Sequence, residues 1–277
     1  MKPIRLATRR STLAKVQARE VGDMIGVPYE LVEVTSHGDR VSDPVHAFAQ
    51  PGAFVRAVQQ AVVDGRADVA VHSCKDLPTD SPLVAYHPPR SSPWDVLCGP
   101  AWEDLPRGAT VGTGSPRRRT QLLLLRPDLE VVSIRGNVDT RLEGVASGRW
   151  QAVVLAEAGL LRLGRIDAAT HRFAVTEMVP APGQGALAVE VIPGGDAEEL
   201  VSSIDHPPTR AAVTAERRLL ALTGLGCRAS LGAYAETGGE GIVLWAFVAD
   251  ENGPRRVAVR GDEPDQVALL AKRELGL

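Results

Sequence analysis

The sequence predicts an α/β protein with a small α+β tail. Short apolar runs alternate with amphipathic stretches whose apolar residues recur every three to four positions. The alternation occurs twice, on either side of the break Pro88-Pro89-Arg90-Ser91-Ser92-Pro93. Beyond Pro207 the order changes to a helix, then strands, then a helix.

Residues 4–8 read as the first strand, followed by Arg9 and Arg10. Ser11 is placed to cap a helix that carries Leu13, Val16, Val21 and Met24 at helical spacing. Residues 29–34 read as a second strand. A long loop over 36–52 carries His37, Gly38, Asp39, Pro44 and Pro51, and loops of that length are uncommon unless they serve a function. An amphipathic helix over 54–63 ends at Asp64-Gly65, and a buried strand over 68–71 follows. This order predicts a mainly parallel sheet. The second round begins with a strand over 110–113. Ser115 and Pro116 then suit the N-cap and first position of a helix. Strands over 130–134 and 151–156 flank a helix carrying Arg141. A Pro/Gly crossing over 180–185, most simply a hinge, leads to a strand over 186–191. The tail reads as a helix over 209–222, a Gly-rich loop, strands over 242–248 and 257–260, and a helix over 265–275.

The chain has 277 residues, 44% hydrophobic and 23% charged, enough for two or three domains with real cores. A net charge of −3 argues against general nucleic-acid binding. The three cysteines, Cys74, Cys98 and Cys227, are odd in number and lack CxxC spacing, which argues against a disulfide framework or a metal site. Residues 1–5 lack an apolar signal core, and no apolar run approaches membrane length. A cytosolic protein is therefore expected.

Two features carry chemistry. The strand over 68–71 runs into His72-Ser73-Cys74-Lys75-Asp76-Leu77-Pro78, and strand ends in α/β sheets are where ligands bind. Asp76 can be a turn cap or a working carboxylate, with Lys75 beside it to lower its pKa. The second feature is arginine at strand-to-helix junctions: Arg9 and Arg10, then Arg117, Arg118 and Arg119, then Arg135 and Arg141. Cations at a helix start oppose the macrodipole and cost roughly 0.3–1 kcal/mol each. A bound anion reverses that sign, and arginine grips carboxylates bidentately. Three such junctions favour a ligand with several carboxylates or phosphates over scattered surface arginine. Cys227, in Gly224-Leu225-Gly226-Cys227-Arg228, reads from spacing alone as an inert turn residue. Cys98 reads as core and Cys74 as packing.

Specific stretches, in order, resemble the porphobilinogen deaminase (hydroxymethylbilane synthase) family. They are Ala7-Thr8-Arg9-Arg10-Ser11, the stretch from Ala67 to Pro78, Val111-Gly112-Thr113-Gly114-Ser115-Pro116-Arg117-Arg118, and Ile134 through Arg141 to Leu142. Then come Ala158 to Gly164, the Gly183-Gln184-Gly185 segment, Thr214-Ala215-Glu216-Arg217 and Gly226-Cys227. Essentially the whole chain is covered.

The resemblance implies two lobes like those of periplasmic binding proteins, spanning 1–90 with 186–204 and 91–185, plus a small C-terminal α+β domain over 205–277. It implies a transferase of tetrapyrrole (haem) biosynthesis that joins four porphobilinogens head-to-tail with loss of ammonia and releases hydroxymethylbilane. It also implies a dipyrromethane cofactor linked covalently through Cys227, which reverses the inert reading of that residue. Asp76 becomes the catalytic carboxylate. Ser73, Lys75, Asp76, Thr113, Ser115, Arg117, Arg118, Arg135 and Gly136 become cofactor-binding. Arg9, Ser11, Gln17, Arg135, Arg141 and Arg162 become substrate-binding clamps for pyrrole carboxylates. No metal, nucleic acid or membrane is implied, and a cytoplasmic monomer is expected.

The chain departs from the family pattern in places. The usual Gly-Lys-Gly-x-Phe-x-Lys-Glu stretch appears as Gln50-Pro51-Gly52-Ala53-Phe54-Val55-Arg56-Ala57, and the usual Asp-Pro-Arg-Asp appears as Ser92-Pro93-Trp94-Asp95. Lost cations at Pro51 and Trp94 leave room for a divergent paralogue that takes a related pyrrole or makes a shorter oligomer. A non-catalytic two-lobed anion-binding protein needs the arginines but neither Asp76 nor Cys227.

Overall fold

The computed structural model describes residues 2–34, 53–224 and 230–277. Cys227 and Pro51 therefore lie outside the described residues, as does the loop expected over 36–52. The chain divides into two compact units, Met1–Arg90 with Ala186–Arg210, and Ser91–Gly185 with Ala211–Leu277.

The first unit is built on β1 (Ile4–Arg9), α1 (Thr12–Ile25), β2 (Tyr29–Val34), α2 (Ala53–Val63), β3 (Val69–Ser73), β4 (Val84–Tyr86), β10 (Leu187–Val191) and α6 (Glu198–Ser202). Its sheet has the order β2-β1-β3-β10-β4. Side-chain alternation sorts the strands onto two cores. Leu6, Val69, Val71 and Val189 meet Ala18 and Val21 of α1. Ala7 and Ala70 meet Val58, Ala61 and Val62 of α2. Burial on both faces is why β3 reads as a continuous apolar run, Val69-Ala70-Val71. Ser11 does cap α1, accepting from the Ala14 amide at 3.3 Å, and Gly26 ends the helix with φ 74°.

The second unit holds β5 (Asp95–Cys98), β6 (Thr110–Thr113), α3 (Pro116–Leu125), β7 (Glu130–Ser133), α4 (Val138–Ala146), β8 (Ala152–Ala156), α5 (Glu157–Arg162) and β9 (Ala169–Arg172). Its sheet order, β7-β6-β8-β5-β9, repeats the plan of the first. Leu97, Val111, Ala152 and Val154 pack with Leu122 of α3. Val96, Cys98, Val153 and Leu155 pack with Leu142 of α4 and with Trp150. The helix α7 (Pro207–Thr223) leads to a meander, β11 (Ser230–Gly238), β12 (Gly241–Asp250) and β13 (Gly253–Gly261), and then to α8 (Pro264–Glu274). One face of the meander buries Leu231, Leu244 and Ala246 against Leu219, Val267 and Ala271.

The sheets are mixed, which corrects the mainly parallel expectation. In each, three parallel strands are followed by one antiparallel strand, β10 beside β3 and β5 beside β8. The antiparallel strands come from distant points of the chain, so local alternation could not place them. Strands β4, β5, β9 and β11 were not expected. β4 has three residues and β9 four, too few to show a period, and β11 carries Gly232, Ala233 and Ala235, which have low strand preference.

The crossing over 180–185, expected as a hinge between domains, ends where the two units divide, and its residues are tied into the second unit. Gln184 is fully buried and donates to Pro93 O at 2.7 Å and Asp95 Oδ1 at 3.0 Å. The Gly183 amide donates to buried Glu216 Oε2 at 2.6 Å, and Glu216 Oε1 accepts from the Ala235 amide at 2.8 Å. Gly185 has φ 87°, and a Cβ there would lie 2.4 Å from Ser92 O, so only glycine fits.

Trp94, where the family pattern has an arginine, packs on the other face of the meander. Its ring centroid lies 5.1 Å from that of Tyr234, which stacks on Trp245 at 5.7 Å. An aromatic contact takes the place of a cation.

Candidate active site

In the first unit, the C-terminal ends of parallel strands carry the candidate residues. Strands β1 and β3 are neighbours, with Leu6 opposite Val69 and Ala7 opposite Ala70. Arg9 ends β1 half-buried, Ser11 caps α1, and Gln17 is buried on the same helix. After β3 the chain makes one 3-10 turn, Cys74–Asp76, closed by the Leu77 amide donating to Cys74 O at 3.1 Å. Cys74 and Leu77 are buried, Ser73 and Lys75 half-buried, and Asp76 exposed. The Cys74 amide donates to Ala186 O at 3.0 Å, which ties the turn to the entry of β10. The buried flanks thus set the turn, and Asp76 is the residue left facing out. The strand end is where a sheet of this type presents ligand chemistry.

In the second unit the same geometry recurs with arginine. Thr113 ends β6 buried and accepts from the Ser115 amide at 3.2 Å. Ser115 caps α3, accepting from the Arg118 amide at 3.4 Å, with Pro116 in the first turn. Arg117 and Arg118 are 3% and 6% exposed, so they are interior residues. Asp95, the first residue of β5, is fully buried between them. Its Oδ2 accepts from Arg117 Nη1 at 2.7 Å and its Oδ1 from Arg118 Nε at 2.8 Å. Arg117 Nη1 also donates to Val179 O at 2.6 Å, and Arg118 Nη1 to Val154 O at 2.9 Å.

This changes the electrostatic reading of that helix start. An internal carboxylate already answers part of the charge that was expected to await a ligand. Burial alone would push the Asp95 carboxyl up, but the two guanidiniums outweigh it and hold the carboxyl far below the usual range. Burial lowers the pKa of Arg117, and burial together with the nearby Arg118 charge lowers that of Arg141.

A positive surplus remains. Arg141, on α4, reaches toward the α3 start, where a Cβ on Gly114 would lie 3.9 Å from its Nη2. Its Nε is buried and has no hydrogen-bond partner among the described residues. Arg117 and Arg118 share one carboxylate, Asp95, and two buried donors, Arg117 Nε and Arg141 Nε, are left over among the described residues. A group bearing carboxylates fits this donor set. Gly136, with φ 106°, turns the chain after β7, and Asn137 caps α4 by accepting from the Thr140 amide at 2.8 Å. Arg135 is exposed beside that turn. Arg162, in the last turn of α5, reaches Gly185 O at 3.5 Å. Thr113, Ser115, Arg118 and Arg141 thus share one corner, Arg117 is turned inward, and exposed Arg135 follows Ile134, whose amide donates to Thr113 O at 3.3 Å.

Asp95 is the residue that sequence reasoning missed. Its signal was slight: one acid heading the apolar run Val96-Leu97-Cys98. Cys74 and Cys98 are at most 1% exposed, and burial pushes the Cys98 thiol up to about 12. Native protein treated with a maleimide at neutral pH should keep both thiols unlabelled by peptide mapping. Ready labelling of Cys98 would contradict this burial.

The chain matches the family model described as "Porphobilinogen deaminase, dipyromethane cofactor binding domain" over residues 4–199. It is 48% identical to the porphobilinogen deaminase of Thermobifida fusca, over 95% of this chain and 83% of that one. It is 46% identical to that of Acidothermus cellulolyticus (98% and 86%) and 48% identical to porphobilinogen deaminase 1 of Streptomyces coelicolor (85% and 78%). Among solved structures, a nutrient binding protein from Burkholderia cenocepacia is loosely similar, with a TM-score of 0.44 and 14% identity over 74% of this chain and 93% of that one.

Proposed function

The chain belongs to the porphobilinogen deaminase family, and on that premise we propose that it condenses four porphobilinogens head-to-tail, with loss of ammonia, and releases hydroxymethylbilane. The observation that most supports this is the pair of strand-end sets: an exposed carboxylate, Asp76, in one unit, and surplus guanidinium charge at the α3 start in the other. Pyrrole substrates bear acetate and propionate groups outside and develop positive charge on the ring. They call for arginine and carboxylate together.

The residues take these roles. Ser73, Lys75, Asp76, Thr113, Ser115, Arg117, Arg118, Arg135 and Gly136 would hold the dipyrromethane, and Cys227 would bond it. Arg117 acts mainly by fixing Asp95 and the α3 start, since it is directed to the interior. When bound, the dipyrromethane supplies the nucleophilic pyrrole α-carbon to which the first unit is joined. Arg9, Ser11, Gln17, Arg135, Arg141 and Arg162 hold substrate carboxylates. Asp76 stabilises the cationic ring left as the substrate's C–N bond breaks and ammonia departs. Its carboxylate then takes part in removing the ring α-proton after the new C–C bond forms.

We keep the division into 1–90 with 186–204, 91–185 and 205–277 as the frame for these roles. The protein is taken as a cytosolic monomer; no helix among the described residues is long and apolar enough to cross a membrane.

Incubation of the purified protein with porphobilinogen, followed by mass analysis of the products, tests the proposal. Hydroxymethylbilane is expected. A shorter oligomer, or consumption only of a related pyrrole, would favour the paralogue; no consumption with retained anion binding would favour a binding protein. Arg135→Ala should raise KM about tenfold, the worth of one charged hydrogen bond. Its exposure predicts a stability change within about 0.5 kcal/mol. Steady-state kinetics and denaturant unfolding check the two halves of that prediction.

A further inference from the structure

Glu190 lies in the middle of β10 and is fully buried, opposite Ala70 on β3 and Ala85 on β4. A buried carboxylate is costly unless its lone pairs are occupied, and an apolar residue of similar volume often serves stability as well or better. The condensation mechanism above makes no use of it. Its partners point to a role. Gln59 Nε2, on α2, lies 3.1 Å and 3.0 Å from its two oxygens. Ser81 Oγ donates to Oε1 at 2.6 Å, and His72 Nε2 is 3.2 Å from Oε2. Ser81 Oγ in turn accepts from the Leu83 amide at 3.1 Å. Burial would raise the Glu190 carboxyl, but His72, Ser81 and Gln59 more than reverse this, so the carboxyl sits below its ordinary value.

His72 precedes Asp76 on the end of β3, and Ser81 follows it on the return loop. The 3-10 turn between them lacks a side-chain cap at Ser73. Asp76 itself is exposed and is not fixed by burial. Both shoulders of its turn meet the same buried carboxylate, Ser81 through a hydrogen bond and His72 at ion-pair distance without hydrogen-bond alignment, and the Cys74 amide to Ala186 O bond fastens the middle to the approach to that same strand.

We infer that Glu190 is a positioning residue for Asp76, holding the turn that carries it through His72 on one side and Ser81 on the other. The inference rests on the proposed role of Asp76 in pyrrole condensation. A displacement on the order of 1 Å at a reacting group can cost about a hundredfold in rate.

The test uses the full-length, cofactor-loaded protein. Glu190→Gln should lower kcat by about tenfold to a hundredfold, with KM within about twofold of wild type. In an Asp76→Glu background, where the carboxylate is already displaced, the same change should cost less than about threefold. Full multiplication of the two losses would show that Glu190 acts on the fold at large and would overturn the positioning role. So would a Glu190→Gln kcat within about twofold of wild type. Should Glu190→Gln not fold, Ser81→Ala carries the test, with an expected loss of about fivefold in kcat. That loss should again shrink in the Asp76→Glu background, and additive losses would overturn the inference. A wild-type protein that makes no product overturns the functional proposal and this inference with it. A normal wild-type rate with an unaffected Glu190→Gln overturns this inference alone.

Discussion

Asp76→Ala should lower turnover of porphobilinogen by roughly a thousandfold while leaving the fold and the carboxylate clamps intact. Asp76 is exposed at the end of a turn whose flanks, Cys74 and Leu77, are buried. Removing its carboxylate creates no cavity and strands no buried partner, so stability should change by less than about 0.5 kcal/mol. The clamps are arginines on other elements, so KM should move little. A fall in kcat with KM and unfolding midpoint nearly unchanged is therefore expected from single-turnover kinetics and urea titration. Normal turnover by Asp76→Ala would remove this residue from the chemistry.

Asp95→Ala should have the opposite signature, a collapse in stability. Its carboxylate is fully buried between Arg117 and Arg118 at 2.7 Å and 2.8 Å, and also accepts from Gln184. Removing it leaves two buried guanidiniums without their counter-charge, a loss of about 3–5 kcal/mol. Guanidinium denaturation should show it. The pH dependence has a definite sign. The folded pKa of Asp95 is depressed, so its contribution is complete above the unfolded carboxylate value of about 3.9. It is lost only as the pH falls through the depressed value. Wild type and Asp95→Ala should therefore differ by a constant amount at neutral pH and converge only in strong acid. Equal stability of the two proteins at pH 7 would show that the buried triad is not what holds the α3 start in place.

The contrast between Asp76 and Asp95 explains how far the sequence could be read. The α/β alternation was legible because strands such as β3 and β8 are buried on both faces and appear as apolar runs, Val69-Ala70-Val71 and Ala152 to Ala156. The caps Ser11 and Ser115 were legible because capping is local. Antiparallel β5 was not, and β10 was legible as a strand but not as an antiparallel one, since their places in the sheets depend on chain segments far away in sequence. The arginine junctions were legible as an electrostatic anomaly, but the partner of Arg117 and Arg118 was not. Asp95 precedes Arg117 by 22 residues, with β6 between them, and nothing local marks it as their counter-ion. Glu190 was hidden in the same way inside an apolar strand, Val189 to Val191, whose pattern announces only burial. Trp94 was legible as a lost cation, while its gain, contact with Tyr234, depends on a meander strand that was not expected. The role of Cys227 came from resemblance alone, since spacing favoured an inert turn.

The central claim is a pyrrole-condensing enzyme with a covalent dipyrromethane on Cys227. Intact-protein mass spectrometry, followed by peptide mapping, tests it most directly. Protein expressed with porphobilinogen available should exceed the mass of its chain by one dipyrromethane, located on the peptide containing Cys227, and Cys227→Ser should have the bare chain mass. An unmodified Cys227 in protein made under those conditions would contradict the claim.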